Sequence, residues 1–131
     1  MPTNLPARRR MRLGAILLGV MILLWLSIED RDERRAVFLA AMLSTLGALV
    51  TGLRFGARLR GYWYILLGGT FGLLVPLLAV LLMVVKTGLH GHSVPDFTLA
   101  QISAVLRQIP VWSVVGLLVG GAAALFDRTR G

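Results

Sequence analysis

The chain has 131 residues, of which 56% are hydrophobic and 15% charged, with no cysteine and a formal net charge of +8. One soluble domain of this size cannot bury so much apolar surface, which excludes an ordinary water-soluble fold and indicates a lipid environment. The lack of cysteine excludes disulfides, thiolate nucleophiles and thiolate metal sites.

Four apolar segments follow one another along the chain, and we predict that each crosses a membrane. They cover about residues 13–28, 36–53, 62–85 and 111–126. Backbone groups at hydrocarbon depth must be paired within the protein, and these segments lack the alternation of barrel strands, so helices are favoured. The third segment is long enough to tilt, or to kink at Pro76. The predicted fold is an all-α membrane protein: a four-transmembrane-helix bundle forming one domain over residues 13–126, with a basic N-terminal segment 1–12 and a C-terminal tail 127–131.

The distribution of positive charge predicts the orientation. Nine of the fourteen Lys and Arg residues lie in the N-terminal segment, the loop between the second and third spans, and the tail. The two connections on the other side carry five positive and five acidic residues, so their net charge is zero. The positive-inside rule therefore places both termini in the cytoplasm.

The same arginines bear on possible partners. Because they flank apolar segments and form no folded basic face, we expect no nucleic-acid binding. We expect the lipid bilayer itself as a partner, with anionic lipid headgroups at the cytoplasmic Arg clusters. Arg outnumbers Lys thirteen to one, which fits a GC-rich bacterium and hence a bacterial plasma (inner) membrane.

Between the third and fourth spans, the sequence predicts a short amphipathic helix at the outer interface. Thr98 and Gln101 have the spacing of a capping box, flanked by Phe97 and Ile102 at the positions of a hydrophobic staple. Apolar residues then recur at helical spacing until Pro110. A cap packed over the bundle is favoured over a gate or a lid.

Small residues four apart mark the predicted helix-packing faces. Such residues let helices in lipid approach closely, and we favour packing within one chain over a dimer seam. The predicted packing residues are Ala36, Ala40, Ser44, Ala48 and Gly52 in the second span, Gly68 and Gly72 in the third, and Gly116, Gly120 and Ala124 in the fourth.

Residues suited to chemistry are few. No Asp, Glu, Lys, Arg or His lies between the ends of a predicted span, which argues against a proton-coupled pump. We expect the hydroxyls of Ser44, Thr45, Thr51, Thr70 and Ser113 to bond to carbonyls one turn back. His90, His92 and Asp96 are weak metal candidates, but loop histidines usually face water, and we predict neither metal nor cofactor.

The sequence therefore favours a protein without a catalytic site. The leading hypothesis is a structural or accessory subunit that packs its helices against itself or a larger membrane complex. A small oligomeric transporter or channel, with Pro76 and Gly68–Gly69 making the third helix flexible, is the alternative. A membrane enzyme using His90, His92 and Asp96 ranks third, because no nucleophile accompanies them.

Overall fold

A computed structural model describes residues 5–28, 31–91 and 96–130, and all regular structure in these ranges is helical. Five α-helices follow in chain order: α1 (Leu5–Ser27), α2 (Glu33–Phe55), α3 (Tyr62–His90), α4 (Leu99–Leu106) and α5 (Ile109–Arg130). A short 3-10 turn, Gly56–Arg58, follows α2. The prediction of an all-helical chain is confirmed for these ranges.

Four helical stretches are long and apolar enough to span a membrane: α1, α2, α3, and the stretch Leu99–Arg130 that contains α4 and α5. At 1.5 Å per residue, the 22 residues of α5 reach about 33 Å, and the 29 residues of α3 reach about 44 Å. Both values exceed the roughly 30 Å of a hydrocarbon core. The four helices needed for the predicted fold are therefore present.

The helices continue past the apolar segments into the polar flanks. α1 includes the basic run that starts at Arg8, and α3 continues beyond Val85 to His90. Lys86 and His90, expected in the connection, are therefore helical. Gly91 then ends α3 in the left-handed conformation (φ 59°), which glycine adopts without steric cost.

Small side chains join α2 to α3. Ala36 and Ala40 are 0% exposed, and Ser44 is also buried. The Ser44 hydroxyl donates to the carbonyl of Phe71 at 2.5 Å, which links the two helices directly. The stripe lets the helix backbones lie close enough for this bond.

Glycines join α3 to α5 even more closely. A Cβ atom built on Gly68 would lie against the Gly116 carbonyl oxygen and 2.9 Å from the Gly120 Cα. A Cβ on Gly72 would lie against the Trp112 carbonyl oxygen and 3.1 Å from the Gly116 Cα. Real side chains do not tolerate such distances to backbone atoms, so this contact requires glycine at each of these positions.

The spanning helices form an open row. α1 packs on α2, α2 on α3, and α3 on α5, while α1 and α5 share no extended contact among the described residues. A closed four-helix ring would need that fourth contact. The row results because the small-residue faces join only consecutive spanning helices.

We expect Gly116→Ala to destabilise the protein by about 1–3 kcal/mol, because its methyl group would force α5 away from α3. Gly121→Ala is the matched control, since nothing lies within 4 Å of a Cβ at that position of the same helix. The measurement is helical circular dichroism during titration with a denaturing detergent. Equal midpoints for the two variants would contradict the glycine contact.

Candidate functional site

The most extensive hydrogen-bonding and aromatic contacts between different helices lie at the level where α1 ends and α2 begins. Lys86, in the last turns of α3, is 0% exposed. Its Nζ donates to the Trp25 carbonyl at 2.9 Å and lies 4.0 Å from the centroid of the Trp25 ring. One ammonium group thus binds both the backbone and the ring of Trp25 in the last turn of α1, which fixes α1 to α3.

Aromatic packing covers this ammonium contact. The Phe97 ring lies 6.2 Å from that of Trp25, centroid to centroid, and both side chains are buried. A tryptophan near the end of an apolar span is typical of a ring that faces the lipid headgroups. The ring is instead enclosed, because Lys86 and Phe97 occupy two of its sides.

Gln101 connects α4 to the start of α2. The predicted capping box is confirmed: the Thr98 hydroxyl accepts from the Gln101 backbone N–H at 3.2 Å, and the Gln101 Oε1 accepts from the Thr98 N–H at 2.9 Å. The Gln101 Nε2 then donates to the Arg31 carbonyl at 2.9 Å and to the Glu33 carboxylate at 2.8 Å. One amide side chain thus caps α4 and fixes it to the entrance of α2.

Of the three weak metal candidates, the structure brings two together. His90 Nδ1 and Asp96 Oδ2 are 2.5 Å apart, and the carboxylate is buried. His92 lies outside the described residues. Within the described ranges no group of three His, Cys, Asp or Glu side chains is placed to hold a metal ion. The pair holds Asp96 against the last turn of α3.

The predicted packing residues lie at several different depths. Of the α2 stripe, Ala48 is half-buried and Gly52 is exposed, so the stripe leaves the contact with α3 towards its C-terminal end. In α5 the glycines already described are joined by Ala124, and all three are buried. Gly72 of α3 is buried and Gly68 half-buried.

Most hydroxyls behave as the sequence predicted. Thr45, Thr51 and Thr70 each donate to the carbonyl four residues earlier, at 2.7–2.9 Å. Ser44 differs, because its bond crosses to α3. These threonine hydroxyls are thereby satisfied within their own helices.

Sequence reasoning missed Lys86 as a site residue. It was assigned to the polar connection, because the apolar segment ends at Val85. The available signal was helical spacing: Gly72, Pro76, Ala79, Met83 and Lys86 recur every three or four residues, and all are buried in α3. Lysine at the end of such a stripe continues the packed face.

Comparison with models of protein families, with curated proteins and with solved structures gives no match. The class that the fold defines is therefore that of an all-helical chain with four helices able to span a membrane. The arrangement of side chains is the remaining guide to function.

We expect Lys86→Met to destabilise the protein by about 1.5–3 kcal/mol, because the variant loses a hydrogen bond from a charged donor. Arg107→Gln is the control, because Arg107 is an exposed side chain just after α4, near the same helix ends as Lys86. It should alter stability by less than about 0.5 kcal/mol. Denaturing-detergent titration followed by circular dichroism measures both. A Lys86→Met protein as stable as the parent, or more so, would show that burial of the ammonium costs more than its contacts contribute.

Proposed function

We propose that this chain is a non-enzymatic structural or accessory subunit of a bacterial plasma membrane, which acts by packing its helices against a larger membrane complex or a second copy. The observation that carries the proposal is an apolar groove between α2, α3 and α5 that the chain leaves uncovered. The groove has a volume of about 160 Å³.

The lining of the groove suits a helix. Ala41, Thr45 and Ala48 of α2 form one wall, and Val115 and Val119 of α5 form the other. Small residues four apart are the commonest basis of close helix contact in lipid, where apolar surface alone gives no reason to associate. The first wall is a partly uncovered face of α2, which adds Ala41 and Thr45 to Ala48 of the stripe described above.

The outer surfaces of the row support placement in a bilayer. Four leucines on the first and last helices of the row each expose 64–68% of their surface: Leu17 and Leu23 of α1, and Leu118 and Leu125 of α5. Contiguous apolar exposure of this kind is rare on soluble monomers. Hydrocarbon around the row makes the exposure favourable.

The proposed orientation places both termini in the cytoplasm and α4 at the outer interface. Lys86 lies 24 residues beyond Tyr62, about 36 Å along α3, so a core of roughly 30 Å places it near the headgroups. α4 packs on α3 and α2 at this end, with Val105 buried and Leu99 exposed. These contacts support the proposal of a short interfacial helix that caps the row.

A transporter or channel formed by several copies is the second candidate. It is favoured by Pro76, which is fully buried near the middle of α3. Proline has no N–H to offer the Gly72 carbonyl, so the helix is easier to bend there.

Cysteine cross-linking in native membranes tests the proposal, because the chain has no cysteine of its own. We expect Ala41→Cys, in the groove, to form adducts with another polypeptide. Leu118→Cys is the control, since Leu118 is exposed and lines a different cleft on the α3–α5 pair. Equal adduct yields from the two cysteines would contradict a groove-specific contact. Purified homo-oligomers that conduct solute in liposomes would favour the channel.

Labelling of single cysteines in intact cells tests the orientation separately. We expect an impermeant maleimide to reach Arg107→Cys, after α4, and to reach Arg58→Cys, after α2, only in permeabilised cells. Both side chains are exposed, so accessibility depends on the side of the membrane and not on burial. The reverse pattern would show that the charge bias does not set the topology.

A further inference from the structure

A cleft of about 330 Å³ opens between the N-terminal part of α1 and the C-terminal part of α2, at the opposite helix ends from Lys86. Three arginines and three apolar residues line it: Arg8, Met11 and Arg12 from α1, and Val50, Leu53 and Arg54 from α2. Its described lining contains no carboxylate.

The two helices contribute the same pattern to this basic cleft. On each helix the lining residues stand at positions i, i+3 and i+4, which share one helix face. Arg12 and Arg54 hold the i+4 positions, and Arg8 begins the α1 set. Each wall therefore carries guanidinium groups together with apolar side chains.

The cleft stays open because α1 is held elsewhere. α1 packs on α2 through Leu18 and is fixed to α3 through Trp25. Nearer its N-terminus, Leu13, Ile16 and Leu17 are all more than half exposed. The two helices therefore meet towards Trp25 and leave space between them at the arginines.

We infer that the basic cleft binds one anionic phospholipid, whose phosphodiester contacts the three guanidinium groups while an acyl chain lies along Met11, Val50 and Leu53. Guanidinium groups bind phosphate oxygens through paired hydrogen bonds, and basic pockets between membrane helices bind anionic headgroups in this way. The inference rests on the proposed function only in requiring that the row lies in a bilayer.

The depth of the arginines fits a lipid headgroup. Arg8 lies 19 residues from Ser27, about 29 Å along α1, which is close to the full thickness of a hydrocarbon core. Arg12 lies about 6 Å deeper, and its long side chain can reach up to the same level. A free phosphate would use the guanidinium groups but leave the apolar half of the cleft unused.

The test uses the protein in nanodiscs that contain equal amounts of phosphatidylglycerol and phosphatidylcholine. Native mass spectrometry then identifies the lipids that stay bound when the protein is released from the nanodisc. We expect the wild type to retain phosphatidylglycerol preferentially. The variant Arg8→Gln/Arg12→Gln/Arg54→Gln should lose at least about tenfold of that preference, because only the arginines of the cleft make paired hydrogen bonds to the same phosphate.

A second triple variant, Arg9→Gln/Arg10→Gln/Arg128→Gln, is the matched control, because it removes the same charge from exposed side chains that do not line the cleft. It should change the preference less than about twofold. Equal losses from the two triples, or no preference in the wild type, would overturn the inference. Displacement of the lipid by soluble glycerol phosphate would also overturn it, in favour of a free-phosphate site.

This result is independent of the proposed helix partner. Both leaflets of the nanodisc have the same composition, so the orientation of the protein does not affect lipid retention. The experiment also contains no second polypeptide. Cross-linking at Ala41 can therefore fail while the basic cleft binds lipid, and cross-linking can succeed while the cleft binds none. Failure of one proposal is thus distinguished from failure of the other.

Discussion

The structure depends on the contact between α3 and α5, where helix backbones meet with no side chain between them. In hydrocarbon, apolar side chains gain nothing by leaving lipid for protein, so association must come from van der Waals contact and weak Cα–H···O bonds. Both attractions fall steeply with distance. Gly68 and Gly72 on one helix and Gly116 and Gly120 on the other remove the atoms that would keep the backbones apart. This contact fixes α5 to the row.

The opposite side of the row is held differently. α1 carries no comparable glycine face against α2: Gly14 and Gly19 have nothing within 4 Å of a built Cβ. Its position depends instead on Leu18 and on the polar and aromatic contacts of Trp25 at one end. A helix fixed at one end by a buried ammonium group and loosely packed along the rest leaves a gap at its other end. The basic cleft is this gap.

Much of the fold could be predicted from the sequence, because its causes are local. Unbroken apolar segments require helices in lipid, and the Thr98–Gln101 pair identifies the start of α4 by its own hydrogen bonds. The side-chain site could not be predicted in the same way. Burial of Lys86 depends on Trp25 of α1 meeting the end of α3, which is a contact between residues 61 positions apart. Hydropathy assigns a lysine to water whatever lies opposite it. Counting charges does not identify the basic cleft for a similar reason, because it treats Arg8 and Arg12 as positive charges and not as one face of a helix.

The open row explains why the molecule has two separate exposed cavities, the groove between α2, α3 and α5 and the basic cleft between α1 and α2. Closing the ring would need an extended contact between α1 and α5, which the described residues do not make. The small-residue faces prevent this, because they draw α2 and α5 onto neighbouring sides of α3 and leave α1 beyond α2. The tightest contacts are thus made within one chain, and a groove of small and β-branched residues stays exposed. In a bilayer that groove can only be filled by lipid or by another helix. A helix with matching small residues gains close backbone contact there that flexible acyl chains cannot supply.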